Sequence, residues 1–134
     1  MRGVIDIAAL AGIPLFEGLA PEHLERIAAW LEPIDVPAAW HLLNQGSYPD
    51  GFFVVLEGTV RIERDGDPVA ELGPGEFFGE IALLEDNKRM ATVITATRVR
   101  AAVMDEADFF EMTAAIPLVS RRITDEAIAR FPKR

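Results

Sequence analysis

The 134-residue sequence has no cysteine, which excludes a disulfide framework and any thiolate metal site and accords with a cytoplasmic setting. Histidine is nearly as scarce. His23 and His41 stand far apart and make no recognisable metal pair, so neither a metal site nor a catalytic residue is expected. Basic charge is in short supply: 13 Lys and Arg face 22 Asp and Glu, for a net charge of -9. That sign is wrong for nucleic acid or an anionic membrane, so the segment is not expected to bind either directly. Long apolar runs are missing too. The run Ile7 to Ala11 is broken by Asp6 and by Gly12-Ile13-Pro14, which leaves it too short to span a membrane and without a signal-peptide pattern.

What is present is an apolar content of 50%, enough for a globular chain. One domain over residues 1–134 is expected, large enough to bury roughly two thirds of its unfolded surface. It divides into N-terminal helices over 1–33, a β-barrel over 34–104 and C-terminal helices over 105–134. Residues 4–11 suggest a short helix ended by Gly12, followed by an extended Ile13-Pro14-Leu15-Phe16 segment. From Pro21, the set Leu24, Ile27, Ala28 and Leu31 has the spacing of one helical face, with Ala20 a poor cap and Pro33 near the stop.

Between Ile34 and Met104, short apolar or alternating runs are punctuated by turn residues such as Gln45-Gly46-Ser47, Pro49-Asp50-Gly51 and Gly73-Pro74-Gly75. Strands are expected at 34–36, 41–43, 52–56, 59–64, 69–72, 90–96 and 99–104, an arrangement that argues for a sandwich or barrel. The Asp65-Gly66-Asp67 tip is the best hairpin signal. Asp105 then reads as the cap of a short helix carrying Phe109, Phe110 and Met112. Pro117 opens a last helix with Val119, Ile123, Ala127 and Phe131 on one stripe, stopped by Pro132. The basic residues Arg121, Arg122, Arg130, Lys133 and Arg134 gather in this last helix and its end. Their simplest explanation is complementing the dipole there.

The richest stretch is Phe77 to Ala96, with a phosphate-binding cassette over 77–92. Gly79 stands where an extended apolar run gives way to a short helix, so the N–H groups around Ile81 and Ala82 are donors without intrahelical partners, suited to an anion. Glu80, acceptor-only when ionised, suits a sugar hydroxyl. Arg89 heads a β-branched run, Thr92 to Thr95, and its guanidinium fork suits a phosphate. Taken singly, Gly79 reads as a turn glycine, Glu80 as a helix-start carboxylate and Arg89 as a solvated loop charge. Taken together they describe a cradle for a sugar phosphate. At an effective dielectric of about 20, a charge pair about 4 Å apart is worth roughly 4 kcal/mol before desolvation. One nearby arginine therefore outweighs distant, screened carboxylates.

With this cassette and element order, the chain resembles the cyclic nucleotide-binding domain family, which includes the regulatory subunits of cAMP-dependent protein kinase, cyclic nucleotide-gated channels and the bacterial catabolite activator protein. The resemblance runs from Pro14-Leu15-Phe16-Glu17-Gly18-Leu19 through Leu43-Asn44-Gln45-Gly46 and Phe52-Phe53-Val54-Val55-Leu56-Glu57-Gly58 to Gly73-Pro74-Gly75-Glu76-Phe77-Phe78-Gly79-Glu80. It implies a mainly β fold, an antiparallel barrel or jelly roll (double-stranded β-helix) with α-helices at both ends. It also implies a non-catalytic regulatory module without cofactor, whose ligand is cAMP or cGMP and whose terminal helices rearrange on binding. By the resemblance, Gly79, Glu80, Ile81, Ala82, Arg89, Met90 and Ala91 form the site. Glu80 would take the ribose 2′-hydroxyl, Arg89 the cyclic phosphate, and backbone N–H groups near Ala82 and Ala91 the rest of the phosphate shell.

Met90 departs from the family pattern of alanine, serine or threonine after the phosphate arginine. It offers no hydroxyl, which favours cAMP over cGMP, but its bulk could crowd the pocket. Arg122, Ile123 and Thr124 are all available to cap the base. Two other functions stay open: a nucleotide-free interaction or structural domain of the same fold, and a cupin-like metalloenzyme, which two histidines serve poorly. A homodimer or an attached effector domain is the expected context. A DNA-binding helix-turn-helix would need chain beyond Arg134.

Overall fold

The computed structural model describes residues 5–85 and 87–130. Expectations that fall on residue 4, Asp86, Phe131, Pro132, Lys133 and Arg134 lie outside these, as does the Arg130 side chain.

Helix α1 (Ile7–Ala11) is capped by Asp6, whose side chain accepts from the Ala8 N–H. A 3-10 turn follows at Pro14–Phe16, where the sequence suggested an extended segment. Proline forces only its predecessor out of the helical region, and Ile13 is indeed extended, while Pro14 takes the first-turn position for which its own φ is suited. Helix α2 (Pro21–Trp30) starts at Ala20 with no side-chain cap and buries Leu24 and Ile27. It ends before Pro33, which lies inside strand β1 (Glu32–Val36). That strand is at a sheet edge, where a missing N–H costs no ladder bond.

The remaining elements are β2 (His41–Leu43), β3 (Gly51–Glu57), β4 (Val60–Arg64), β5 (Asp67–Leu72), β6 (Phe77–Phe78), α3 (Glu80–Leu84), β7 (Thr92–Thr95), β8 (Val99–Asp105), α4 (Glu106–Ala115) and α5 (Pro117–Arg130). The strands form two antiparallel four-stranded sheets, ordered β1-β8-β3-β6 and β2-β7-β4-β5. They face each other as a jelly-roll sandwich and do not close into a barrel. The hairpin signal at Asp65-Gly66 is borne out: both residues have positive φ, 54° and 86°, as a two-residue turn between twisted strands requires.

Strand β3 shows why its run is apolar throughout. Phe52 and Val54 join the core that packs the first sheet against the helices, whereas Phe53 and Val55 join the core between the sheets. On the helical side, Phe52 touches Phe77 and Phe109, and Leu15, Phe16, Val119 and Ile123 belong to the same cluster. On the other side Phe53 stacks on Phe78 at 4.9 Å between ring centroids. Each such ring stabilises the fold by about 1.5–3 kcal/mol relative to exposure. The two-residue strand β6 was not expected as a strand. Its register opposite Phe53 and Val54 fixes where Gly79, the next residue, must turn.

Candidate functional site

Gly79 caps α3 in the left-handed region, with φ 95°. The position excludes side chains twice over: a Cβ there would stand 3.0 Å from the Gly51 carbonyl oxygen and 3.1 Å from an Arg89 guanidinium nitrogen. Glycine therefore lets three backbone and side-chain groups converge, which a mere turn would not need.

Arg89 is buried, with 4% of its surface exposed, contrary to its reading in isolation as a solvated loop charge. Its Nη1 donates to the Gly79 carbonyl and its Nη2 to the Gly51 carbonyl, both at 2.7 Å. Asp50 places a carboxylate oxygen 3.6 Å from Nη2, an ion pair too long for a hydrogen bond. Burial pulls the guanidinium pKa below its ordinary value, and the charges of Asp50 and Glu80 oppose that pull. The Nε–H is buried and has no acceptor. An unmet buried donor costs about 1–3 kcal/mol, more when charged, so this nitrogen favours any arriving anion.

The backbone of Arg89 is held as firmly as its side chain. Its N–H donates to the Ser47 carbonyl at 2.8 Å and its carbonyl accepts from the Gly46 N–H at 2.9 Å. The same loop is tied down by the Gln45 side chain, which exchanges two hydrogen bonds with Asp65 at the β4–β5 tip, and by the Gln45 N–H donating to Thr92 Oγ1. In the sequence Gln45-Gly46-Ser47 and Pro49-Asp50-Gly51 read as turn punctuation, with Gln45-Gly46 also part of the family resemblance. Asp50 and Gly51 thus went unassigned; an acidic residue beside a glycine, just before a strand, was the one signal that pointed to them.

Gly79, Glu80, Ile81, Ala82, Arg89, Met90 and Ala91 all line one cleft, together with Leu43, Ile62, Phe78 and Val93. The cleft spans about 440 Å³ of empty space, part of it open to solvent. One wall is apolar, from the inter-sheet core; the other carries the charges of buried Glu80 and Arg89. Met90 is half-buried. Such a cleft can take a ligand with one anionic group, hydroxyls and a flat apolar part. Among the described residues no group of three or more His, Cys, Asp or Glu stands together to hold a metal. His41 hydrogen-bonds Asn44 at the surface.

The base-capping candidates separate. Ile123 is fully buried in the helical core and Thr124 bonds back to the Ser120 carbonyl. Arg122 turns to the N-terminal 3-10 turn. Dipole complementation at a helix end does not account for Arg121 and Arg122, which sit in the first half of α5.

A jelly roll with terminal helices, holding a glycine-turned helix and a buried arginine over one cleft, defines a class of small-ligand-binding domain. The chain belongs to the cyclic nucleotide-binding domain family, whose profile matches residues 34–115. It is 36% identical over 121 residues to a cyclic nucleotide-gated potassium channel of Rhizobium etli, covering 90% of this chain and 34% of the channel. It is 31% identical over 117 residues to a cAMP-dependent protein kinase regulatory subunit of Emericella nidulans, covering 86% and 28%. The chain thus spans about a third of the length of these relatives. The catabolite activator protein of Thermus thermophilus superposes with a TM-score of 0.79 at 28% identity, over 89% of this chain and 58% of that one. The cAMP-bound PfPKA-R shares the fold, with a TM-score of 0.82 at 19% identity over 94% and 45%. The first of these relatives is a channel and the second a kinase regulatory subunit. Among the described residues here, no helix is long and apolar enough to cross a membrane.

Proposed function

We propose that this chain is a cytoplasmic regulatory module of one domain that binds a cyclic nucleotide in the cleft of Gly79, Glu80, Ile81, Ala82, Arg89, Met90 and Ala91. The observation that carries the reading is Arg89: a buried cation on the cleft wall, fixed by two carbonyls, with its Nε–H still without an acceptor. The cyclic phosphate meets Arg89 and the amides near Ala82 and Ala91, and the ribose 2′-hydroxyl donates to Glu80. The purine lies against the apolar wall of Leu43, Ile62 and Val93. cAMP is favoured over cGMP, because Met90 presents a thioether where a hydroxyl would reward the guanine.

Occupancy is read out through the helices. Helix α5 packs on both α3, which follows Gly79, and the 3-10 turn, so a ligand that prefers one seating of α3 biases α5. A typical coupling of this kind is about 1–3 kcal/mol. Calorimetric titration tests the reading directly: cAMP is expected to bind more tightly than cGMP, and Met90→Thr to narrow the gap. Absence of heat and of competition with either nucleotide would end the proposal.

A further inference from the structure

Arg122 makes an unusual set of contacts. From the second turn of α5 the two hydrogens of its Nη1 reach three backbone carbonyls of one short segment, Glu17 at 2.8 Å and Leu15 at 3.0 Å, with Pro14 at 3.3 Å as a shared third acceptor. Pro14 opens the 3-10 turn, whereas the Leu15 and Glu17 carbonyls lie toward and just after its C-terminal end, the negative end of its dipole. The Pro14 oxygen also accepts from the Glu17 N–H and the Phe16 oxygen from Leu19. The guanidinium therefore completes the satisfaction of the turn from a residue more than a hundred positions away. Beneath this contact Leu15 and Phe16 share a core with Val119 and Ile123, one turn apart on the same helix.

We infer that Arg122 is a latch that makes the N-terminal helical segment and α5 move as one body, and so sets how strongly the cleft feels the chain's two ends. The inference rests on the proposed cyclic nucleotide reading for its functional half. Its structural half stands on the three hydrogen bonds alone. The latch lies on the route to the cleft: Arg122 borders a hollow with Gly75, Glu76 and Phe77, two residues before Gly79, and α5 also packs on α3. Apolar packing alone tolerates sliding, because dispersion contacts are individually weak and undirected. A charge-assisted bond to three carbonyls fixes both distance and direction. With it in place, any shift of α5 must carry Pro14–Glu17 along or break the contact.

The test uses the 134-residue chain and the variants Arg122→Gln and Arg122→Lys. Hydrogen exchange of the Leu15–Leu19 amides is expected to speed up at least tenfold in the glutamine variant while strand β3 keeps its protection. The lysine variant should fall between, since its ammonium keeps charge and rotatable donors. The cAMP dissociation constant, from calorimetry, is expected to change at least threefold in the glutamine variant and less in the lysine one. Unchanged exchange at Leu15–Leu19 overturns the latch. Faster exchange with an unmoved dissociation constant overturns its part in ligand coupling. If the parent chain binds no cAMP, the site reading fails and the coupling with it, while the exchange comparison still decides the latch. Collapse of the glutamine variant, seen as lost β3 protection, shifts the decision to the lysine variant, where wild-type exchange counts against the latch.

Discussion

Two arginines in this molecule use their guanidinium groups on backbone carbonyls, yet the places they occupy differ. Arg89 is buried, bonds the Gly79 and Gly51 carbonyls, and keeps a buried Nε–H without an acceptor beside two carboxylates and a cleft. Arg122 is half-buried and spends one nitrogen on three carbonyls between the chain's two helical ends. In the roles proposed above, what separates a binding cation from a fastening one is the donor left over and the space next to it. Carbonyl bonding by itself tells neither role.

The sharpest way to break this comparison is Arg89→Ala. Truncating one partner of a buried, hydrogen-bonded charge site typically costs about 2–5 kcal/mol of binding, so cAMP affinity measured by calorimetry should fall at least about 30-fold. Retained affinity would make Arg89 a fastener like Arg122. Next comes Gly79→Ala, which forces an alanine into the left-handed region and pushes a Cβ against the Gly51 oxygen and Arg89. Unfolding in urea should show a loss of about 2 kcal/mol or more, with weaker cAMP binding, because the same substitution displaces the arginine. A loss of stability with unchanged binding would separate the turn from the site.

A smaller effect is expected from Glu80, and it is best read as a cycle. Glu80→Ala should weaken cAMP by about tenfold, whereas 2′-deoxy-cAMP should lose much less, since the two changes remove one shared hydrogen bond. Equal losses for both nucleotides would take the ribose away from Glu80 and leave it as an electrostatic support for Arg89.

The smallest effect lies away from both arginines, at Asp108. Burial first, then the neighbouring charges of Asp105 and Glu111, push its carboxyl above the ordinary value. Its charged form is thus less favourable in the fold than in the unfolded chain. The penalty is absent below the ordinary carboxylate range and complete above the raised folded value. Asp108→Asn should therefore raise stability slightly at neutral pH, by at most about 0.5 kcal/mol because solvent screens these charges, with the gain vanishing in acid. A loss instead would show that the helix dipole outweighs the like charges at the start of α4.

Much of the fold was legible because local periodicity and turn chemistry were strong. The apolar run of β3, the alternation in β4, the Asp65-Gly66 turn and the Asp105 cap of α4 each follow from neighbouring residues, and each appears in the structure. The 3-10 turn at Pro14–Phe16 and the two-residue strand β6 were not legible, since both are too short to carry a period. The same limit explains the site. Gly79, Glu80 and Arg89 could be chosen from spacing, but the Asp50-Gly51 corner that meets Arg89 comes from a loop 38 residues away.

By itself, then, the sequence determined most of the elements, the hairpin and the family resemblance, because each is written in windows a few residues wide. Only the tertiary structure decided that the sheets stay an open sandwich, that Arg89 is buried against Gly51 and Asp50, and that Arg122 reaches the 3-10 turn. The physical reason is the same in each case. A side chain's partners at long sequence separation are chosen by the packing of whole sheets and helices, and no local pattern of residues encodes which carbonyl will be within reach.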